Sequence, residues 1–259
     1  MRGEVIHGML ATVESLTRLP LWRIRGCQVP TESFRSVVNY WPAAGWVTAP
    51  CMALTVWLGG LILPYSVAVC LAIAARMLLT GAMHEDGFAD YMDGLGGHGK
   101  AQVLAIMKDS HTGVYGVLSL VVYVLLLYST LSSLEPELIP YLVLAGDPLA
   151  KWCASWVATR LPYARADDEC KFGVAYRRPT TKALVTATLL GCLPLLWLAQ
   201  WPPLYLATLG PAATSGLLIG TMRRRLGGYT GDCCGALFVL CELSFYLSAR
   251  LVLRLWTSI

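Results

Sequence analysis

The chain has 259 residues. Its charged fraction is 14%, and about 61% of it is apolar with Gly counted and Tyr left out, against roughly 25% and 45–50% in a soluble domain. A soluble fold of this length exposes too much surface to hide so many apolar side chains, and the formal net charge is only +4. Disorder, a disulfide-rich secreted module and a nucleic-acid binder all fit poorly, so the composition predicts an integral membrane protein.

Residues 1–42 hold Arg2, Arg18, Arg23, Arg25 and Arg35 but no long apolar core, so no secretory signal is read there. Val5, Ile6, Met9, Leu10, Val13 and Leu16 recur at helical spacing, which predicts a short helix lying in the membrane interface. Seven later stretches approach the roughly 20 apolar residues of a spanning helix: 43–63, 65–82, 113–132, 138–162, 183–201, 203–221 and 233–256. Pro64 and Trp201-Pro202-Pro203 mark tight turns between them. Little is left for an extramembrane domain, and neither a repeat nor a linker divides the chain. Residues 1–259 therefore read as a single integral membrane domain. The predicted class is all-α, a polytopic membrane bundle of six to seven transmembrane helices with an N-terminal interfacial helix.

Lys and Arg set the orientation. Fifteen of the twenty lie in residues 1–42, 83–112, 163–182 and 222–232, while the connections at 64, 133–137 and 202 carry none. Basic loops stay on the cytoplasmic side, which predicts that the long polar loops face the cytoplasm. Arg250 and Arg254 conflict with a seventh full crossing, so the last segment is expected to be interfacial or re-entrant. The nine cysteines are scattered without metal-type spacing and read as small apolar packing residues.

The groups able to do chemistry crowd the polar loops. Residues 83–112 form an acidic, Gly-rich region carrying Glu85, Asp86, Asp90, Asp93 and Asp109. At about 100° per residue, Asp86, Asp90 and Asp93 fall within an arc of roughly 60° on a helix, and no Lys or Arg accompanies them there. Clustered anions repel. A hard divalent cation relieves this, because Mg²⁺ takes oxygen ligands and sits between carboxylates and substrate phosphates. The glycines at 87, 94, 96, 97 and 99 are expected to let a backbone approach a ligand closely, the tail of the run leaving amides free for phosphate oxygens. A second polar segment, Arg223 to Asp232, places an acid beside a Gly-Gly-Tyr-Thr-Gly loop. Asp147 and Lys151, at i and i+4 in an apolar stretch, are placed to pair on one helix face or to line a cavity, because a charge at the bilayer centre costs about 2.5–3.5 kcal/mol. Arg76 and Glu242 are similar cases. His84, His98 and His111 flank the acids and read as hydrogen-bonding loop residues.

The run His84-Glu85-Asp86-Gly87-Phe88-Ala89-Asp90-Tyr91-Met92-Asp93-Gly94-Leu95-Gly96-Gly97, with Ile106-Met107-Lys108-Asp109-Ser110 and Gly113-Val114-Tyr115-Gly116, resembles the cobalamin synthase (adenosylcobinamide-GDP ribazoletransferase) family. Leu16–Pro20, Leu161–Arg165 and Leu226–Asp232 followed by Gly235-Ala236 fit it in order, so the resemblance spans nearly the whole chain. It departs at His111, where the family shows Arg, and around Asp147–Lys151, where arginines are expected. Arg holds phosphate bidentately and His or Lys does not.

The resemblance implies a multi-pass enzyme of the bacterial inner membrane. It would join adenosylcobinamide-GDP to α-ribazole or α-ribazole 5′-phosphate and release GMP. Under that reading Asp86, Asp90 and Asp93, with Glu85, bind Mg²⁺ across the pyrophosphate. Asp90 or Asp93 is the general base, and Lys108, Asp109, His111 and Asp232 contact substrate. Membrane lipid is the only other partner implied, and nothing in the residues specifies a homo-oligomer. The rival readings are a CDP-alcohol phosphotransferase, whose Asp-Gly-x-x-Ala-Arg pattern is only echoed by Asp86–Asp90, and a cation-coupled transporter.

Overall fold

The computed structural model describes residues 2–165 and 176–256. Lys171, one of the basic loop residues, lies outside them. The described residues are helical, with no strand and one isolated bridge between Tyr163 and Tyr229. The helices are α1 (Arg2–Leu16), α2 (Pro42–Gly60), α3 (Tyr65–Thr80), α4 (Met83–Gly94), α5 (Lys100–Ile106) and α6 (Val114–Ser132). They continue with α7 (Ile139–Ser155), α8 (Val157–Arg160), α9 (Thr181–Cys192), α10 (Leu209–Leu226) and α11 (Gly231–Trp256).

Among the described residues, five helical segments are long and apolar enough to cross a membrane, or six if the bent pair α3–α4 counts as one crossing. The count of six meets the lower edge of the predicted six to seven. All seven predicted stretches are helical, but α7 is only 17 residues long and carries Asp147 and Lys151 at its middle, which leaves it outside that count. It is enclosed by α2, α9, α11 and the 3₁₀ segment Leu193–Leu198, as expected of a helix apolar all round. The last segment, expected to be interfacial or re-entrant, has the length and apolarity of a crossing helix. It is one continuous 26-residue helix, and α4, α6, α7 and α10 pack around it.

The N-terminal helix forms, but part of its buried face belongs to the protein itself. Gly8, Ala11, Thr12, Ser15 and Leu16 are buried; α1 packs on the 3₁₀ segment Thr31–Tyr40, where the Thr12 hydroxyl donates to the Val37 carbonyl at 3.1 Å.

Two features position the polar end of the bundle. Gly81 and Ala82 both adopt left-handed backbone angles, φ 66° and 55°, which ends α3 and sends α4 off at 88°. For Ala82 that conformation costs roughly 1–2 kcal/mol, so packing on both sides must hold it. The second feature is a charged interior. The Arg76 guanidinium donates to both carboxylate oxygens of Glu242 at 2.5 Å and to the Tyr123 hydroxyl at 2.8 Å, and it reaches Glu85 at 3.5 Å. Tyr246 donates to Glu242 at 3.0 Å. Asp147 and Lys151 pair at 2.5 Å with Thr48 bridging them. Both side chains are 0% exposed, so of the two arrangements expected from the sequence they take the pairing, inside the packed core, and do not line a cavity. Such mutual pairing is how charges persist in an apolar interior.

Candidate active site

The acidic stripe does lie on a helix. On α4, Asp86 is exposed, Asp90 half-buried and Asp93 buried, while His84, Gly87, Phe88 and Tyr91 form the face turned inward. That face packs on the first half of α11, where Gly87 lies against the Asp232 backbone and Gly235 against the His84 carbonyl and Gly87. Two glycines at a crossing let backbones approach closely. The contact brings the Asp232 backbone, 139 positions from Asp93 by difference of numbers, against Gly87, the residue that follows Asp86.

Three loops close on this end. The Tyr163–Tyr229 bridge is made by Ala164 N–H to the Tyr229 carbonyl at 2.8 Å and Tyr229 N–H to the Pro162 carbonyl at 3.0 Å. It holds Arg165 where its guanidinium donates to Asp232 Oδ2 at 3.0 Å, with side chains 8% and 3% exposed. Arg225, at the end of α10, donates to the carbonyls of Leu95 and Gly97 at 2.7 and 2.6 Å and so satisfies acceptors left by the end of α4. Neither arginine was singled out from the sequence as a site residue. The Leu161–Arg165 motif was the signal for the first, and the basic cluster before Gly227 concealed the second.

The remaining predicted site residues separate. Asp93 accepts N–H groups from Gly113 at 2.7 Å and Gly116 at 2.8 Å, which satisfies the N-terminus of α6 and places negative charge at its positive end. Glu85 is turned inward to Arg76 and is not part of the exposed edge of the stripe. Among the described residues no three His, Cys, Asp or Glu side chains converge on a point that a metal could occupy. Lys108, Asp109 and His111 lie in the exposed connection between α5 and α6. There Asp109 accepts from the His111 N–H at 3.0 Å and faces its ring nitrogen at 2.7 Å. The backbone N–H of His111, then its side chain, holds the Asp109 carboxyl below the usual carboxylate range.

The glycine run does not offer the open amides expected of it. The N–H groups of Gly96 and Gly97 donate to Asp93 and Gly94 carbonyls, both at 3.0 Å, and that of His98 to the Gln102 side chain at 2.8 Å. Gly94 and Gly97 instead let α5 pack closely, since a Cβ on either would press on Val103 and its neighbours.

The fold and site together define a polytopic α-helical membrane protein with a carboxylate and arginine cluster at one end of its bundle. The family described as Cobalamin-5-phosphate synthase (CobS) matches residues 8–250, and the chain belongs to that family. It is 37% identical to the adenosylcobinamide-GDP ribazoletransferase of Desulfitobacterium hafniense (strain Y51), over 90% of this chain and 92% of that one. The proteins of the same name from Shewanella frigidimarina (strain NCIMB 400) and Allorhizobium ampelinum (strain ATCC BAA-846 / DSM 112012 / S4) are 34% and 36% identical. They cover 95% and 92% of this chain, and 97% and 94% of their own lengths are covered. No solved structure matches the chain. Family membership sets aside the lipid phosphotransferase and the transporter.

Proposed function

We propose that the chain joins adenosylcobinamide-GDP to α-ribazole or its 5′-phosphate and releases GMP, with the α4 stripe and the Arg165–Asp232 pair as its site. The observation that carries this reading is the crossing of Gly87 and Gly235, which gathers Asp86, Asp90, Asp232 and Arg165 at one end of the bundle. In the reaction the ribazole 3′-hydroxyl attacks the phosphorus nearer cobinamide. The phosphoanhydride bond breaks, and GMP leaves with the electron pair. No covalent enzyme intermediate is needed, so the protein contributes position and charge.

The donor set suits Mg²⁺. Asp86, Asp90 and Asp232 offer only hard oxygen ligands, and Mg²⁺ is commonly held by one or two carboxylates with phosphates supplying further oxygens. Asp86, Asp90 and Asp232 would hold the ion, which would neutralise charge on the pyrophosphate. Asp90, half-buried, accepts the proton of the attacking hydroxyl. Asp93 acts as a positioning residue by tying α4 to the start of α6. Arg165 holds Asp232 in place, while Lys108 and His111 add donors from the exposed loop. The protein lies in the bacterial inner membrane with this end toward the cytoplasm, which the basic loops favour.

The test is GMP release by detergent-purified protein with both substrates, in Mg²⁺ and in EDTA. Asp86→Asn and Asp90→Asn are expected to lower kcat by about 10²–10⁴, the usual range for a lost acid–base contribution, without shifting Tm. Near-full release by both variants at saturating Mg²⁺ would falsify the assignment.

A further inference from the structure

A groove runs along the outside of the bundle between α7–α8 and α10. One wall is Trp152, Trp156 and Arg160, and the other is Ala212, Gly220 and Arg223. On α10 those three stand at i, i+8 and i+11, which is one face of a helix, and a Cβ added at Gly220 would meet nothing within 4 Å. The segment Pro202–Leu226 is long and apolar enough to cross a membrane, and Leu209 and Leu217 beside the groove are exposed. The groove encloses about 460 Å³, within the roughly 300–1,000 Å³ of small-ligand sites. By the helical rise it runs about 16 Å from Ala212 to Arg223, close to one leaflet of the roughly 30 Å hydrocarbon core. Its mean section is then about 29 Å², which admits one extended chain but not a helix about 10 Å across.

Charge is confined to one end. Arg160 and Arg223 are both exposed there, and the Arg160 guanidinium lies over the Trp156 ring at 5.7 Å. Among the described residues no Asp or Glu lines the groove, and neither arginine is ion-paired. Two guanidiniums at one mouth repel each other, and a phosphate relieves this because Arg binds it bidentately. This end is the one proposed to face the cytoplasm, whose leaflet carries anionic lipids. A second copy of the chain fits the groove poorly. In one membrane it would share the same orientation, so a symmetric contact would set four arginines against one another.

We infer that this groove binds one anionic phospholipid. An acyl chain lies along Ala212 and Gly220 opposite the two tryptophans, and the phosphate sits between Arg160 and Arg223. The apolar walls alone select no particular lipid, since every phospholipid carries such chains. The arginine pair supplies the selection, because a choline headgroup would bring its own cation beside the guanidiniums. The same arginines stand at the roots of two elements that reach the site. Arg160 precedes the Leu161–Arg165 loop, and Arg223 is on the last turn of α10 with Arg225, which holds the Leu95 and Gly97 carbonyls. An occupied groove therefore ties those elements together. The inference does not depend on the transfer reaction.

The experiment titrates phosphatidylglycerol and phosphatidylcholine onto the delipidated full chain in detergent and reads bound lipid by native mass spectrometry. The wild-type chain is expected to retain one phosphatidylglycerol at least tenfold more tightly than phosphatidylcholine, a comparison that needs no variant. Arg160→Gln with Arg223→Gln should remove that preference. Gly220→Leu, which narrows the groove and keeps both arginines, should weaken phosphatidylglycerol at least tenfold. Because the lipid binds the folded chain, it should raise the Tm of wild type and not of the double variant. Inorganic phosphate and chain-free glycerophosphoglycerol should not displace it. Equal retention of the two lipids by wild type would overturn the site, as would undiminished phosphatidylglycerol binding by the double variant. Displacement by inorganic phosphate would mean a free-phosphate site instead, and a lipid-free dimer that Gly220→Leu dissociates would mean a protein interface; either result refutes the lipid.

Discussion

Gly235 on α11 stands so close to Gly87 on α4 that a Cβ added to it would lie 3.3 Å from the Gly87 Cα and 2.8 Å from the His84 carbonyl oxygen. Both neighbours are backbone, which cannot rotate away as a side chain tip would. The two helices therefore have one permitted separation, and that separation sets the distance from the acidic stripe to Asp232.

Gly235→Ala should accordingly act as a wedge. Overpacking of this kind costs about 1–3 kcal/mol, which a thermal unfolding curve in detergent reads directly. GMP release should fall further than stability does, because the wedge parts the α4 carboxylates from Asp232. A surface glycine with nothing near it, such as Gly216, is the control: Gly216→Ala should leave both unchanged.

The Arg165–Asp232 pair separates structure from chemistry. Removing one member, as in Arg165→Met, leaves a buried charge unmatched and costs about 3–5 kcal/mol. In Arg165→Met with Asp232→Leu the charge is gone from both sides, so much of the Tm should return. GMP release should remain lost, since neither the guanidinium nor the carboxylate is restored. Recovery of activity along with Tm would mean that the pair is only a staple between the loops.

A pH effect is expected at Asp109. The His111 N–H favours the charged carboxylate and lowers its pKa in the folded chain. Whatever stability this adds is present above the unfolded carboxylate's pKa and is lost as pH falls through the folded one. The side chain is well exposed, so screening keeps the effect on Tm near zero. His111→Pro, which removes that N–H, should move the Asp109 titration measured by NMR upward toward the ordinary carboxylate value, with Tm at pH 7 unchanged. An unmoved titration would show that the loop does not hold this geometry in solution.

Composition and hydrophobic run length settled the class of protein, because roughly 20 apolar residues in succession have few uses outside a bilayer. The spacing of Asp86, Asp90 and Asp93 was equally legible, since helical geometry converts sequence distance into angle without reference to the rest of the fold. Where each carboxylate ends up was not. Asp93 was diverted to the start of α6, Glu85 to Arg76 in the interior, and the glycine run to packing against α5, because each choice depends on a neighbour far away in the chain. The charged residues of the apolar stretches illustrate the same limit. Asp147 and Lys151 advertised their pairing by being four apart, but Arg76 and Glu242 lie on α3 and α11 and no local pattern links them. The Asp232–Arg165 contact likewise joins α11 to a loop 67 positions away by difference of numbers. Local periodicity is written in the chain, whereas partners for buried charge are selected by which helices pack together.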